Sequence, residues 1–302
     1  MPELPEVETT TNGLKAKILG LKIKDIWTDL NTKDTRKTDT VANPKFFSYF
    51  KKEILNREVL SVERRAKNIL INISNGKTIL IHLKMTGHLL FGKYKFEKQK
   101  NVWIPAENGP LNDPFNRFVH AVFIFSNGKH LAFSDTRKFG KMTLLNTDTA
   151  HKSKHLENIG PEPLSTNFGV KELKERLSKK PNGKIKTVLM DQNIIAGIGN
   201  IYSDEILFKT GIHPERRASE LKESEIKEML KNIKELLKKG IDFGGDSMSD
   251  YRNIEGEKGK FQLHHQVYRK TREKCGKKGC GGIILRKIIN GRSAHFCPVH
   301  QK

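Results

Sequence analysis

The chain has 302 residues, which is enough for two domains with cores of their own and a small appendage. Its 56 Lys and Arg against 34 Asp and Glu give a formal net charge of +22. This charge argues against an enzyme of small neutral substrates and favours a polyanionic partner, namely nucleic acid or an anionic membrane, although general lysine richness contributes. There is no charged-then-apolar leader and no apolar run of about 18 residues, so we expect a cytoplasmic protein without a membrane-spanning segment.

The first stretch, MPELPEVE, predicts a helix. Pro5 suits a first helical turn, and the carboxylates of Glu6 and Glu8 complement the helix dipole there. The helix is expected to run to about Leu19, before the glycine at position 20.

The same stretch allows a chemical interpretation. Removal of Met1 would free the ring nitrogen of Pro2 as a secondary amine, and a terminal amine titrates near ~8, well below a lysine side chain. Attack of this amine on a sugar C1′ would give an iminium cation, with Glu3 or Glu6 as the acid and base. Both interpretations are compatible, because a helix here would hold the amine in place.

Short apolar runs separated by turn residues follow and predict strands. Asn75-Gly76 and Asn127-Gly128 lie between such runs and are typical of hairpin turns. A β-sandwich or barrel of about 150 residues is the natural outcome. The stretch Lys98 to Arg117 is predicted to be an irregular surface excursion. The predicted strands are Val59–Val62, Ile69–Ile73, Ile79–Leu83, Val119–Phe125 and His130–Phe133.

The second half is predicted to be helical. Periodicity is lost around residues 152–167, which indicates a linker, and amphipathic helices are expected at Val170–Ser178 and Leu221–Lys239. Between them one helix should end before Gly197 and Gly199, and another should begin near Asn200. Backbone N–H groups at such a helix start can bind a phosphate, although Asn200 could equally be an ordinary cap.

The tail carries the pattern of a metal site. Cys275 and Cys280 are followed by Cys297 and His300, a spacing that allows three thiolates and one imidazole to close a tetrahedral shell around Zn²⁺. The alternatives are cysteines without a metal, or His295 as the fourth ligand in place of His300.

Several strings resemble, in order along the chain, the formamidopyrimidine-DNA glycosylases, bacterial repair enzymes for oxidised purines. They are the start MPELPEVET, the loops HLKMTGHL and DTRKFG, the stretch from Lys184 to Leu207, and the cysteine-bearing tail. The resemblance implies an α+β fold. An N-terminal β-sandwich with a helix at its start (1–150) would precede a helical domain with a helix–two-turn–helix (151–260) and a zinc-binding β-hairpin (261–302).

The resemblance also implies roles for individual residues, each of which has a plainer explanation as a solvated charge or a core side chain. The catalytic site would use Pro2, Glu3, Glu6 and Lys67, the last beside the lesion's phosphates. Void-filling wedges would be Met85, Arg137 and Phe139, and further DNA contacts Lys186, Asn200 and Arg292. Ser247 to Asn253 would cap the everted base, with Ser247, Tyr251 and Arg252 as candidates.

The implied activity is base-excision repair by a bifunctional DNA glycosylase and AP lyase. It would remove 8-oxoguanine and formamidopyrimidines through a Pro2 Schiff base with β,δ-elimination. The partner would be double-stranded DNA with oxidised bases or abasic sites, the cofactor one structural Zn²⁺, and the protein a monomer, nucleoid-associated if bacterial. Two alternatives stay open: an oxidised-pyrimidine glycosylase of the endonuclease VIII type, and a non-catalytic lesion-binding protein.

The tail departs from the family pattern. The family normally has four cysteines, with two residues between the first pair, whereas this chain has four residues between Cys275 and Cys280 and a histidine as the last candidate ligand. We therefore expect the metal to be retained but the first knuckle to have a different shape.

Overall fold

A computed structural model describes residues 1–32 and 38–302, which form two compact units. The first unit contains residues 1–157 and 243–260, and the second contains residues 158–242 and 261–302. The domain boundaries at 150 and 260 remain predictions. In the structure, residues 243–260 make their contacts with the N-terminal part of the chain and belong to the first unit.

The predicted N-terminal helix is confirmed as α1, Leu4–Ile18. Pro5 lies in its first turn, where no intrahelical N–H donor is needed. Val7, Leu14 and Ile18 are buried on one side of the helix and contribute to the core of the first unit. The apolar face of α1 therefore fixes the start of the chain to the sheets described next.

Two four-stranded antiparallel sheets form the first unit and confirm the predicted sandwich. One has the strand order β1 (Ile23–Thr28), β8 (Val119–Phe125), β9 (His130–Ser134), β5 (His88–Gly92), and the other has the order β10 (Lys141–Asn146), β4 (Lys77–His82), β3 (Asn68–Ile73), β2 (Val59–Arg65). Inward-facing side chains of both sheets enter one apolar core. Turns at Gly76 and Gly128, both with positive φ, connect β3 to β4 and β8 to β9 as predicted.

Several elements of this unit were not among those predicted, namely strands β1, β5 and β10, one helix and one short hairpin. Helix α2, Pro44–Ile54, begins after Asn43, whose side chain accepts a hydrogen bond from the N–H of Phe46 at 3.0 Å. The excursion is not wholly irregular, because it contains strand β7 (Val102–Pro105), which pairs with strand β6 (Tyr94–Glu97) just before it. Two short 3₁₀ turns, Pro110–Asn112 and Pro114–Arg117, then return the chain to β8.

The second unit contains four helices and a hairpin among its described residues. The helices are α3 (Val170–Leu177), α4 (Ile185–Met190), α5 (Asn200–Thr210) and α6 (Glu223–Asp242), and the hairpin pairs β11 (Leu285–Ile289) with β12 (Arg292–Phe296). The predicted amphipathic helices and the helix start near Asn200 are thereby confirmed. No helix of the described chain is long and apolar enough to cross a membrane.

Candidate active site and metal centre

The carboxyl of Glu6 lies at the centre of a buried polar cluster at the start of α1. Its Oε2 accepts the backbone N–H of Glu3 at 2.7 Å, and its Oε1 accepts the backbone N–H of Asp246 at 2.8 Å. Pro2 and Glu3 are buried beside it, and Glu6 itself is 1% exposed. The structure thus brings together the three N-terminal residues that the sequence predicts to be catalytic.

The pKa of Glu6 is raised from 4.5 to about 7, first by burial and then by the nearby carboxylate of Glu3. Hydrogen bonds from the N–H groups of Asp246 and Glu3 act in the opposite direction. A carboxyl with this pKa holds and releases a proton near neutral pH, which is the requirement for acid–base chemistry.

The segment around residue 250 supplies further contacts to this cluster. The Tyr251 hydroxyl donates to the backbone carbonyl of Glu6 at 3.0 Å, and the Ser247 hydroxyl accepts the N–H of Gly259 at 2.8 Å. Arg252 is 1% exposed and donates to the carbonyls of Ser249 and Tyr251. Of the predicted base-capping residues, these three therefore hold the segment in place with their polar atoms.

The predicted wedge residues are exposed and lie on two loops that meet. Met85 is 39% exposed and Phe139 47% exposed, which excludes a core position for either in this structure. The guanidinium carbon of Arg137 lies 4.4 Å from the Phe139 ring centroid, so the two side chains stack. The loops are joined by Asp135, whose carboxylate accepts from the Thr86 hydroxyl and from the N–H groups of Arg137 and Gly140.

Sequence reasoning missed Asp135, which is fully buried. Within the string DTRKFG, an acidic residue two positions before an exposed Arg is a signal for a loop-organising carboxylate, because Asp accepts backbone N–H groups just after itself.

Lys67 lies where cationic side chains gather at the ends of β3 and β4. It is 4% exposed and follows Ala66, which has a positive φ of 53°. The pKa of His82 is lowered to about 3, mainly by burial and then by the charges of Lys84 and Lys67. This local positive potential suits an anion such as a phosphate.

The turn before α5 presents a helix start with two glycines. The cap position is Gly199, so Asn200 is not the cap and its side chain lies in the first helical turn. Gln192, which sequence reasoning missed, supports the turn by accepting from the N–H of Gly197 at 2.8 Å and donating to the Ile198 carbonyl at 2.7 Å. Asn200 Oδ1 is buried without a hydrogen-bond partner among the described residues, as an atom kept for a ligand or a water would be.

The sequence predicts a phosphate contact for Lys186, but the structure buries its side chain completely. The ammonium donates to Asp204 Oδ1 at 2.7 Å, to Ser203 Oγ at 2.9 Å and to the Asn200 carbonyl at 3.0 Å. Three protein acceptors fit an ammonium with three donors, so Lys186 fixes the first turn of α5 in this geometry.

Cys275, Cys280, Cys297 and His300 come together as predicted, with their ligand atoms all within 4.8 Å of one another. The Cys280 and Cys297 sulfurs are 3.7 Å apart. Two thiolate sulfurs that bind one tetrahedral zinc ion lie about 3.8 Å from each other, so this distance fits such a shell. His300 Nδ1 lies 3.4 Å from the Cys275 sulfur, while its Nε2 is 3.1 Å from the Phe208 carbonyl. The other candidate, His295, lies elsewhere and contacts Asp204 at 2.9 Å.

The donor set and its surroundings fit a metal ion. An Nε2–H bond to a backbone carbonyl fixes the tautomer in which Nδ1 carries the free lone pair, the usual arrangement around a metal-binding imidazole.

Arg292 lies just beyond the turn of Asn290 and Gly291, whose φ values are 45° and 74°, and its side chain is exposed at the start of β12.

Comparisons with known proteins show which family the chain resembles. Residues 1–142 match the formamidopyrimidine-DNA glycosylase N-terminal domain and residues 159–252 the formamidopyrimidine-DNA glycosylase H2TH domain. The chain is 37% identical over 302 residues to the formamidopyrimidine-DNA glycosylase of Pelotomaculum thermopropionicum, covering 100% of this chain and 99% of the relative.

Solved structures agree in fold over the whole chain. The Lactococcus lactis Fpg in complex with abasic-site DNA superimposes with a TM-score of 0.82 at 34% identity, covering 99% of both chains. The wild-type Lactococcus lactis Fpg (MutM) bound to DNA containing N7-benzyl-Fapy-dG gives 0.81 at 34% identity, covering 100% of both. The chain therefore belongs to the formamidopyrimidine-DNA glycosylase family.

Proposed function

We propose that the protein is a bifunctional DNA glycosylase and AP lyase that removes 8-oxoguanine and formamidopyrimidines from double-stranded DNA. The observation that carries this proposal is the buried Glu6 carboxyl, which has a pKa of about 7 and binds the backbone N–H of the residue next to Pro2. The lesion and abasic DNA held by the solved relatives support the substrate class, and the net charge of +22 suits a polyanion.

The chemistry begins once Met1 is removed. The Pro2 nitrogen bonds to C1′ as the bond from C1′ to the base breaks, and the base leaves with a proton from a carboxylic acid. Opening of the C1′–O4′ bond gives the iminium, with O4′ protonated. Loss of a C2′ proton expels the 3′-phosphate, loss of a C4′ proton expels the 5′-phosphate, and water then releases Pro2.

Glu3 is the leading acid and base in this scheme, because it directly follows the nucleophile. Glu6 supports it in two ways. It accepts the Glu3 N–H at 2.7 Å, which orients the chain at Pro2, and it can take up a proton near neutral pH.

DNA binding would use residues of both units. In the first unit, Lys67 would contact the phosphates beside the lesion, and Met85, Arg137 and Phe139 would fill the space left by the everted nucleotide.

In the second unit, the start of α5 with Asn200 and the exposed Arg292 would bind backbone phosphates. Lys186 would act indirectly, since its three hydrogen bonds hold the first turn of α5.

The Cys₃His cluster would hold one structural Zn²⁺. The metal would cross-link Cys275 and Cys280 to Cys297 and His300, thereby holding the β11–β12 hairpin that carries Arg292. A protein with this function would act as a monomer in the cytoplasm, at the nucleoid if the cell is bacterial.

Borohydride trapping tests the proposal. The protein is incubated with a duplex carrying one 8-oxoguanine opposite cytosine, reduced, digested and analysed by peptide mass. We expect a covalent adduct on Pro2 and a strand cut. The matched control is a variant with a tag before Pro2, which turns the ring nitrogen into an amide and should give no adduct at Pro2.

Two outcomes would contradict the proposal. Binding without an adduct, with the duplex intact, would indicate a lesion-binding protein without catalysis. An adduct formed only with duplexes carrying oxidised pyrimidines would indicate the other substrate branch.

A further inference from the structure

The surface excursion, residues 98–117, contacts the segment that follows α6. Residues 110–117, here called the strut, consist of the two 3₁₀ turns before β8. Residues 247–253, here called the capping loop, include the candidates for covering the everted base. Both belong to the first unit, so their contacts lie within one compact body.

The main contact between the strut and the capping loop is an ion pair, in which the strut neutralises a buried arginine. Arg252 Nη2 lies 3.1 Å from Asp113 Oδ1, and the guanidinium carbon lies 4.8 Å from the centroid of the Phe115 ring. The other terminal nitrogen of Arg252 donates to the carbonyls of Ser249 and Tyr251 at 3.0 and 2.8 Å. One side chain thus ties the backbone of the capping loop to a carboxylate and a ring of the strut.

A second contact lies on the other side of the strut. The Asn116 amide donates to the Pro110 carbonyl at 3.0 Å and to the Gly256 carbonyl at 3.3 Å. Gly256 has a φ of +87°, and a Cβ built there would lie 2.7 Å from the Pro110 carbonyl. The backbones approach so closely that only glycine fits.

Asn116 also connects the strut to the loop that bears Met85. Since the Asn116 nitrogen donates twice, its Oδ1 is the acceptor for His88 Nε2 at 2.9 Å. His88 begins β5, three residues after Met85. Hydrogen bonds therefore run from His88 through Asn116 of the strut to Gly256, whose N–H donates to the carbonyl of Asn253 in the capping loop at 3.0 Å.

We propose that the strut positions the capping loop for base recognition, with Asp113 as a positioning residue that acts through Arg252. This inference rests on the proposed function and deepens it, because it makes Arg252 a support of the loop instead of a reader of the base. A restrained loop costs less ordering entropy when it closes over an everted base. An abasic site presents no base, so strand cutting there does not use the strut.

The variant Asp113→Asn tests this directly. Its amide oxygen can still accept the Phe115 N–H, which Asp113 Oδ1 accepts at 2.9 Å, but the charge that holds Arg252 is lost. We expect single-turnover release of 8-oxoguanine to slow about tenfold, while cutting of a preformed abasic duplex stays within about twofold of wild type. The matched control is Glu107→Gln in the same excursion, where an exposed ion pair with Lys93 is lost and neither rate should change.

A double-mutant cycle shows whether Asp113 acts through Arg252. In an Arg252→Met background, Asp113→Asn should have no further effect on base release. Equal losses in both backgrounds would overturn the assignment. So would unchanged base release in the single variant, or equal losses of both activities together with a lower melting temperature, which would make the strut a folding element only.

Hydrogen exchange in the DNA-free protein separates this inference from the proposed function. Asp113→Asn should speed the exchange of backbone amides in residues 247–253, and Glu107→Gln should not. If wild type neither released base nor cut abasic DNA, the proposed function would fail, yet faster exchange would still establish the restraint. If exchange in Asp113→Asn were unchanged while wild type was normally active, the inference about the strut would be wrong and the proposed function would stand.

Discussion

The buried carboxyl of Glu6 predicts a specific dependence of stability on pH. Its pKa is raised from 4.5 to about 7, so the folded protein keeps a proton there that the unfolded chain has lost. Between these values the unfolded state binds fewer protons, and the free energy of unfolding therefore falls as pH rises. Below about pH 4.5 the effect vanishes, and above about pH 7 the full cost of ionising Glu6 is present.

The substitution Glu6→Gln removes this titration and keeps the shape. A shift of this size corresponds to about 3 kcal/mol, of which about 2 kcal/mol develops between about pH 5 and about pH 7. Glutamine also loses an acceptor for one of the two N–H groups, from Glu3 or Asp246, a cost of about 1–3 kcal/mol that does not vary with pH. The variant should therefore be less stable than wild type at low pH, and its free energy of unfolding should rise relative to that of wild type as pH rises.

Urea unfolding followed by tryptophan fluorescence measures this difference. Both tryptophans, Trp27 and Trp103, belong to the unit that contains Glu6, so the signal reports on the relevant part of the molecule. A difference between variant and wild type that stays constant from about pH 5 to about pH 8 would refute the reasoning. In a second experiment, Glu3→Gln should shift the pH-dependent fall in the free energy of unfolding to lower pH, because the Glu3 carboxylate contributes to the raised pKa of Glu6.

Three further predictions concern the loops, the hairpin and the metal. Asp135→Asn should lower the free energy of unfolding by about 2 kcal/mol in denaturant titrations, because one of three donors loses its acceptor; an unchanged midpoint would refute this. Arg292→Gln should weaken binding to all duplexes and reduce the salt slope of the affinity by about one, measured by fluorescence anisotropy, whereas a sequence-dependent loss would contradict a phosphate contact. Metal analysis should find one zinc per chain, and Cys280→Ser should lower both the zinc content and the melting temperature, with retention of both arguing against the cluster.

Local patterns accounted for much of the fold and for the metal ligands. Apolar runs bounded by Asn-Gly turns predicted β3, β4, β8 and β9 because strand and turn preferences act over a few residues. The metal ligands could be predicted for the same reason, since each pair lies within six positions in sequence. Helix α2 was not predicted, although Asn43 followed by Pro44 is a helix-start signal.

The environment of Glu6 could not be predicted in this way. Two of its contacts come from Asp246 and Tyr251, about 240 positions along the chain, and only the folded first unit brings them to Glu6. The same holds for Asp113 and Arg252, whose partnership depends on where the strut returns to the sheet. Lys186 illustrates the converse: its place in a motif suggested a ligand contact, but the tertiary contact with Asp204 buries it.

The order in which segments of the two units follow one another along the chain has a consequence for biosynthesis. Residues 243–260 complete the first unit although they leave the ribosome after most of the second unit has been made. Until Asp246 and Tyr251 have been synthesised, the carboxyl and the backbone carbonyl of Glu6 lack the hydrogen bonds that these residues donate, and Glu6 cannot acquire its final environment. A nascent chain therefore cannot complete the surroundings of Glu6 early, and chains released prematurely before residue 243 would lack these contacts.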